Sequence, residues 1–352
     1  MEHVDVVVIG GGQSGLAAAH MLLREGLSPV VLEASERAAG SWPRYYDSLT
    51  LFSPARYSSL PGMPFPGQDP DRYPHRDEVV AYLTAYAARL DADIRTGSRV
   101  TAVRVDGSGF VVEWEGGGSL AVRAVVAASG TFGHPYRPAL PGLDRFAGQV
   151  LHAAHYRSPE SFAGQRIVVV GAGNSAIQIA TELAAVARVS LASRGPVKFA
   201  HQRPLGRDLH FWFKWTGIDS APVGRFLRTP PTQLVIDEGR YRAALAAAAP
   251  DRRELFTGIE DDKVTWLDGS VEQVDTILLA TGYRPDLPYL RGLGALDAAG
   301  HPLHRDGASS THPGLAFVGL EWQRSLSSNS LRGVGRDAAR AAHRLAAHVS
   351  RN

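Results

Sequence analysis

Apolar positions in this chain cluster in short continuous runs and do not alternate. Residues 4–9, VDVVVI, are almost wholly apolar, as a parallel strand buried on both faces requires. The alanine-rich stretch Leu16–Arg24 then predicts a helix, and Pro29–Leu32 predicts a second strand. The same order returns later: RIVVV at 166–170, a helix from Ile177 to about Val186, and a strand at Val189–Ala192. Two further runs, VRAVVAASGT (122–131) and VDTILLATGY (274–283), each predict a buried strand closing on Ser or Thr and Gly. Such endings let backbone pass close to a ligand or between domains. Meanders are predicted at 100–105, 110–114 and 120–128, and again at 263–267 and 270–279.

What joins strand to helix changes the picture. Gly10, Gly12 and Gly15 stand at G-x-G-x-x-G spacing after the first strand, and Gly171, Gly173 and Ala176 repeat the pattern after the later one. Glycines there permit a tight turn and bring backbone N–H groups at a helix N-terminus up to a pyrophosphate. Glu33 stands 23 positions after Gly10, and Arg194 stands 23 after Gly171. A carboxylate accepts hydrogen bonds from ribose hydroxyls and repels a 2′-phosphate, whereas a guanidinium binds one. The first site therefore suits FAD and the second NADPH, the alternative being that Arg194 is a solvated surface arginine. The expected fold is α/β, with two Rossmann-like dinucleotide-binding domains. An NADPH domain at 151–278 is inserted in an FAD domain made of 1–150 and 279–352.

Between the two patterns lies FAGQVLHAAHY, 146–156, with histidines three apart. A metal there would need further ligands, and no acid or histidine of convincing spacing is near. Its position predicts an interdomain, structural role for His152 and Tyr156.

Composition narrows the class. The chain has 352 residues, 44% hydrophobic and 20% charged, enough for two ordinary globular cores. A net charge of +2 gives no reason to expect nucleic acid or an acidic membrane as partner. With no cysteine, disulfides, thiolate metal sites and C-x-x-C redox chemistry are excluded together. No signal-like start and no apolar run of roughly 20 residues are evident, so a cytoplasmic location is expected.

The 146–156 stretch resembles the signature of class B flavin-containing monooxygenases, F-x-G-x-x-x-H-x-x-x-Y in this chain. Both glycine loops and LATGY are similar to that family, in matching order. GSWPRYYDSLTLFSPARYSSLPGMPFP (40–66) and YPHRDEVVAYLTAYA (73–87) resemble its small bacterial branch and the plant indole-pyruvate monooxygenases. The overall likeness extends to flavoproteins of arsenic or cation resistance operons. Two departures stand out. Phe52 holds the place of an asparagine found near the flavin in animal-type members. Leu320 stands where many FAD sites carry aspartate, a loss usual in this family, leaving Gly319–Trp322 backbone and Asn329 to meet the flavin.

The resemblance implies that NADPH reduces FAD, that O2 adds at flavin C(4a), and that the hydroperoxide passes one oxygen to a small nucleophile (N, S, As or a 2-oxo acid). No catalytic side chain is named, because that chemistry is the cofactor's. The cofactor-binding candidates at the first site are Gly10, Gly12, Gln13, Ser14, Gly15, Glu33, Gly40, Ser41, Trp42, Val100, Ser129 and Gly130. The others are Gly171, Gly173, Asn174, Ser175, Ala176, Ser193, Arg194, Thr281, Gly282 and Tyr283; no metal is expected. Trp42, Tyr45, Tyr46 and Phe52 could form part of an apolar cover, or only core. Arg44 and Arg56 could reach a phosphate or nicotinamide, or lie in solvent. Residues 196–250, with the aromatic GRDLHFWFKWTGID, the run TPPT (229–232) and a helix from about Asp237 to Ala249, read as a lid, a subunit contact or a small satellite core. The partners expected are a small-molecule substrate and O2, with a homodimer left open. The rival readings are an NADPH–flavin reductase serving a carrier, and a nucleotide-binding sensor without turnover.

Overall fold

The computed structural model describes residues 2–227 and 234–351. TPPT lies outside the described residues. The first apolar run forms β1 (Glu2–Ile9), and α1 (Gln13–Arg24) and β2 (Pro29–Leu32) follow. Next come α2 (Arg76–Ala88), β3 (Asp93–Arg95), and the meander β4 (Val100–Asp106), β5 (Gly109–Trp114) and β6 (Gly118–Ala127). The chain then builds β7 (Gln149–His152), β8 (Arg166–Val170), α3 (Asn174–Leu183) and β9 (Arg188–Ser193). Residues 199–246 hold β10 (Phe199–His201), α4 (Leu209–Thr216), β11 (Val235–Asp237) and α5 (Arg240–Ala246). After β12 (Asp251–Glu254), the strands β13 (Gly258–Glu260), β14 (Lys263–Thr265) and β15 (Val271–Gln273) precede β16 (Thr276–Leu279). The chain closes with β17 (His304–Arg305), β18 (Ala308–Ser309), β19 (Leu315–Phe317) and α6 (Leu331–Val349).

Two parallel sheets organise these elements. In the first, β19, β6, β1, β2 and β3 lie side by side in parallel, with Val8 opposite Val31 and Val126. One face packs on α1, α2 and α6, the other on the meander and on Leu287–Leu293. In the second sheet, β12, β9, β8, β16 and β7 are all parallel. It is covered by α3 on one face and by the small antiparallel sheet β13–β15 on the other. Covering a parallel sheet on both faces explains the continuous apolar runs.

Local shifts from expectation have visible causes. Helix α3 starts at Asn174, three residues early, because Gly173 is already its N-cap. The expected strand 270–279 is two strands: the Asp275 carboxylate accepts the Arg166 N–H at 2.7 Å, and the chain turns there from the small sheet into the parallel one. Residues 237–249 are not one helix. Asp237 ends β11, its carboxylate accepts the N–H groups of Tyr241 and Arg242, and α5 spans only Arg240–Ala246. The expected domain boundaries at 150 and 279 fall inside strands, since β7 and β16 both belong to the second sheet.

Candidate cofactor sites and the seam between the sheets

Both glycine loops sit at the carboxyl ends of their strands. Gly10 adopts φ +106°, and a Cβ there would lie 2.7 Å from the Ala128 carbonyl oxygen. Gly15 presses on the Gly10 carbonyl, so it sets how closely α1 docks on β1. In the second loop Gly171 has φ +150° and its Cβ would meet the Ala280 carbonyl at 2.4 Å, while Ala176 fills the third place fully buried.

The helices that follow are left open at their N-termini. Helix α2 shows the closed arrangement: His75 caps it, Glu78 completes the capping box, and Asp77 and Glu78 stand in its first turn. In α1 and α3 the N-caps are Gly12 and Gly173, no side chain caps either end, and no acid stands in either first turn. Their first N–H groups and positive dipole ends are thus free for an anion. A Cβ on Gly173 would meet nothing within 4 Å, so the loop faces open space. Gly12 faces Gly40, whose own Cβ would come 2.7 Å from the Gly12 Cα. This backbone-on-backbone cradle fits a dinucleotide at the first loop, and the open Gly173 fits one at the second.

Glu33 is buried at the end of β2. One carboxylate oxygen accepts the Gly11 N–H at 2.5 Å and the other accepts the Ser35 N–H and hydroxyl at 2.7 Å. The Ser98 N–H donates to the Glu33 carbonyl, which brings the buried Val100 at the start of β4 alongside. Gln13 donates to the Asn329 carbonyl and accepts from the Trp42 indole, both at 2.7 Å. Ser14 lies against Gly319, and Ser41 is the N-cap of the short turn Trp42–Arg44. The first-site candidates thus converge around one loop.

At the second site Ser193 is buried, with its hydroxyl donating to the Gly195 carbonyl at 2.7 Å. Arg194 is exposed just past β9 and forms no ion pair among the described residues. Asn174 donates to the Leu234 carbonyl, Ser175 stands half-buried in the first turn of α3, and Tyr46 from the first domain's loop donates to Gln178 on the same helix.

The seam between the sheets carries a series of rings. Trp42, Tyr45, Phe132, Tyr283 and His152 follow one another at centroid separations of 5.5, 4.6, 5.4 and 5.1 Å. Phe132 is its centre, covered also by the Arg44 guanidinium at 5.1 Å. Sequence reasoning did not single out Phe132, and only its place two residues after Gly130 hinted at it. Ser129 donates to the Asp286 carbonyl at 2.6 Å, and Thr281 to the Tyr136 carbonyl at 2.5 Å. Tyr46 does not join the cover. It is a wedge from the first domain's loop into the second core, 6.1 Å from Tyr156. Arg56 pairs with Asp71 at the surface.

His152 is fully buried. Its Nδ1 accepts the Ala154 N–H at 3.1 Å, so its Nε2–H donates to the Gly282 carbonyl, also at 3.1 Å. Nδ1 thus closes the turn in its own segment, and Nε2 ties that segment to the LATGY crossing. Among the described residues no group of acids and histidines could hold a metal ion. Burial pushes its pKa down to about 4. The unfolded chain, with a histidine near 6.5, binds more protons between those values, so stability should fall as pH drops from about 6.5 towards 4. His152→Gln should remove up to ~1.4 kcal/mol per pH unit of that slope. Urea unfolding across this range checks it, and unchanged slopes would refute the assignment.

No helix among the described residues is long and apolar enough to cross a membrane. Comparison with known proteins agrees with this geometry. The family described as pyridine nucleotide-disulphide oxidoreductase matches residues 7–212. An uncharacterized CzcO-like oxidoreductase of Geobacillus kaustophilus is 33% identical, over 96% of this chain and 97% of its own length. The indole-3-pyruvate monooxygenase YUCCA1 of Oryza sativa subsp. japonica is 33% identical, over 82% of this chain and 79% of its own. The solved flavin-containing monooxygenase from Stenotrophomonas maltophilia superposes with a TM-score of 0.87 at 34% identity, covering 99% of both chains.

Proposed function

Because this chain belongs to the pyridine nucleotide-disulphide oxidoreductase family, among its flavin monooxygenases, we propose that it is an FAD- and NADPH-dependent monooxygenase of a small nucleophile. The family's name mentions disulfides, but a chain without cysteine cannot run that exchange. One observation carries the reading: two open glycine loops on two parallel sheets, one followed by buried Glu33 and the other by exposed Arg194.

In this reading residues 1–150 and 279–352 hold FAD, and 151–278 hold NADPH. The α1 N-terminus and the Gly10–Gly12 backbone bind the FAD pyrophosphate, and Glu33 takes the ribose hydroxyls on its remaining lone pairs. Arg194 takes the 2′-phosphate. When bound, the flavin supplies hydride acceptance and O2 activation at C(4a). The side chains do the rest. The series from Trp42 to His152 excludes water from the seam, and neutral His152 and Thr281 fix the backbone that lines it. The substrate is a nitrogen, sulfur or arsenic nucleophile or a 2-oxo acid, met in the cytoplasm.

Stopped-flow spectroscopy tests this. NADPH-reduced protein mixed with O2 should pass through a persistent near-ultraviolet absorbance of a C(4a) adduct. Direct return to oxidised flavin would instead make the protein a reductase.

A further inference from the structure

In α4, a helix of LHFWFKWT, the one buried residue is a histidine. Around His210 the protein spends polar groups with unusual care. Asp208 caps the helix and receives four hydrogen bonds: the His210 N–H and Nδ1 at 2.8 Å, and Tyr73 and Gln202 at 2.7 Å. This locks the ring with Nδ1–H towards the carboxylate. The other nitrogen, Nε2, is buried and has no partner. It stands in a box of rings, with Phe52 and Tyr57 stacked at 6.0 and 6.3 Å and Phe213 edge-on at 5.6 Å. A buried acceptor left empty in a native protein asks for a reason, the more so with its tautomer fixed by a carboxylate that three further hydrogen bonds hold in place.

The box lies between the two domains. Phe52 and Tyr57 come from the first, and Gln202 donates to the Phe52 carbonyl at 3.2 Å. From α6, Arg332 lies over Phe213 at 5.7 Å and pairs with Asp219 at 2.9 Å. The turn before α6 holds Asn329, whose carbonyl meets Gln13 of the first glycine loop. Phe52 is 42% exposed, so it is the ring that can swing aside and open the box. The charged groups facing His210 are Asp208, Arg332 and Asp219. Burial and Arg332 lower its pKa, and Asp208 and Asp219 raise it, with the net result down. The ring is therefore neutral and its Nε2 lone pair stays available near neutrality.

We propose that His210 Nε2 is a substrate-binding acceptor, which selects planar or apolar nucleophiles carrying an N–H or O–H that enter in place of the Phe52 ring. This rests on the monooxygenase reading for the word substrate. Within the classes left open, it favours secondary amines over tertiary ones and hydroxylated arsenicals over fully alkylated ones.

The probes are N-methylaniline and N,N-dimethylaniline, which share a ring and differ by one N–H. In protein labelled with 15N-histidine, the His210 Nε2 signal, identified by its loss in His210→Phe, should be that of an unprotonated nitrogen without a hydrogen bond. N-methylaniline should shift it and N,N-dimethylaniline should not. In wild type the first amine should bind about tenfold more tightly or better, and His210→Phe should collapse that ratio towards one. Because Asp208 fixes the tautomer, Asp208→Asn should also reduce the ratio. A protonated Nε2, equal shifts from both amines, no shift from either, or an unchanged ratio in His210→Phe would overturn the proposal. These readouts need no turnover, so they stand apart from the stopped-flow result that decides oxygenation.

Discussion

Replacing Gly12 by valine is expected to give a folded protein that purifies colourless. Gly12 is the extended N-cap of α1, and a Cβ placed on it would sit 3.5 Å from the Gly40 Cα, an ordinary contact. A first carbon therefore fits, and the fold has no reason to fail. The two further methyl carbons of valine have Gly40 on one side, so they turn towards the open end of the helix, where the pyrophosphate would lie. Losing one or two charge-assisted backbone contacts, each ~1.5–3 kcal/mol, weakens retention by roughly ten- to ten-thousandfold. Wild type should carry about one non-covalent FAD per chain, as one fingerprint loop binds one pyrophosphate. Gly12→Val should carry little, and Gly12→Ala an intermediate amount. The flavin-to-protein absorbance ratio reads this directly, and a fully yellow Gly12→Val protein would contradict it.

The second large effect concerns Arg194. It stands exposed one residue past β9, on the same strand end whose buried Ser193 anchors Gly195, and no acid among the described residues holds its guanidinium. A charge-assisted pair with a 2′-phosphate is worth ~1.5–3 kcal/mol, or roughly ten- to a hundredfold in affinity. Arg194→Ala should raise KM for NADPH by about that factor and leave KM for NADH nearly unchanged. The rate of flavin reduction at saturation should barely move, because the phosphate is remote from the hydride and contributes uniform binding. If the variant keeps its preference for NADPH, Arg194 is only a surface arginine.

The parts of this protein written in local chemistry were legible. Parallel strands covered on both faces read as apolar runs, which is why Pro29–Leu32 emerged with the observed limits and β1 and β8 in place. Glycines at positive φ punctuated both loops. Non-local pairing was not legible. Strands β10 and β11 are three residues each, 36 positions apart at their starts, and neither makes sense without the other. Tyr46 read as cover or core, and that it belongs to a core built from residues 153–278 is something only the chain's return across the seam reveals. The His210 box is the extreme case. Its members come from residues 52–73 and 202–213, and the property that matters, an acceptor left without a donor, has no sequence signature.

Oxygenation is tested most directly by isotope transfer. The purified holoprotein would be supplied with NADPH, 18O2 and a panel of a thioether, a secondary amine and a 2-oxo acid, with products weighed by mass spectrometry. At least one product should carry a single 18O atom from O2, formed only when NADPH is present. NADPH consumption that yields labelled hydrogen peroxide or water, and no labelled product from any of the three, would contradict it.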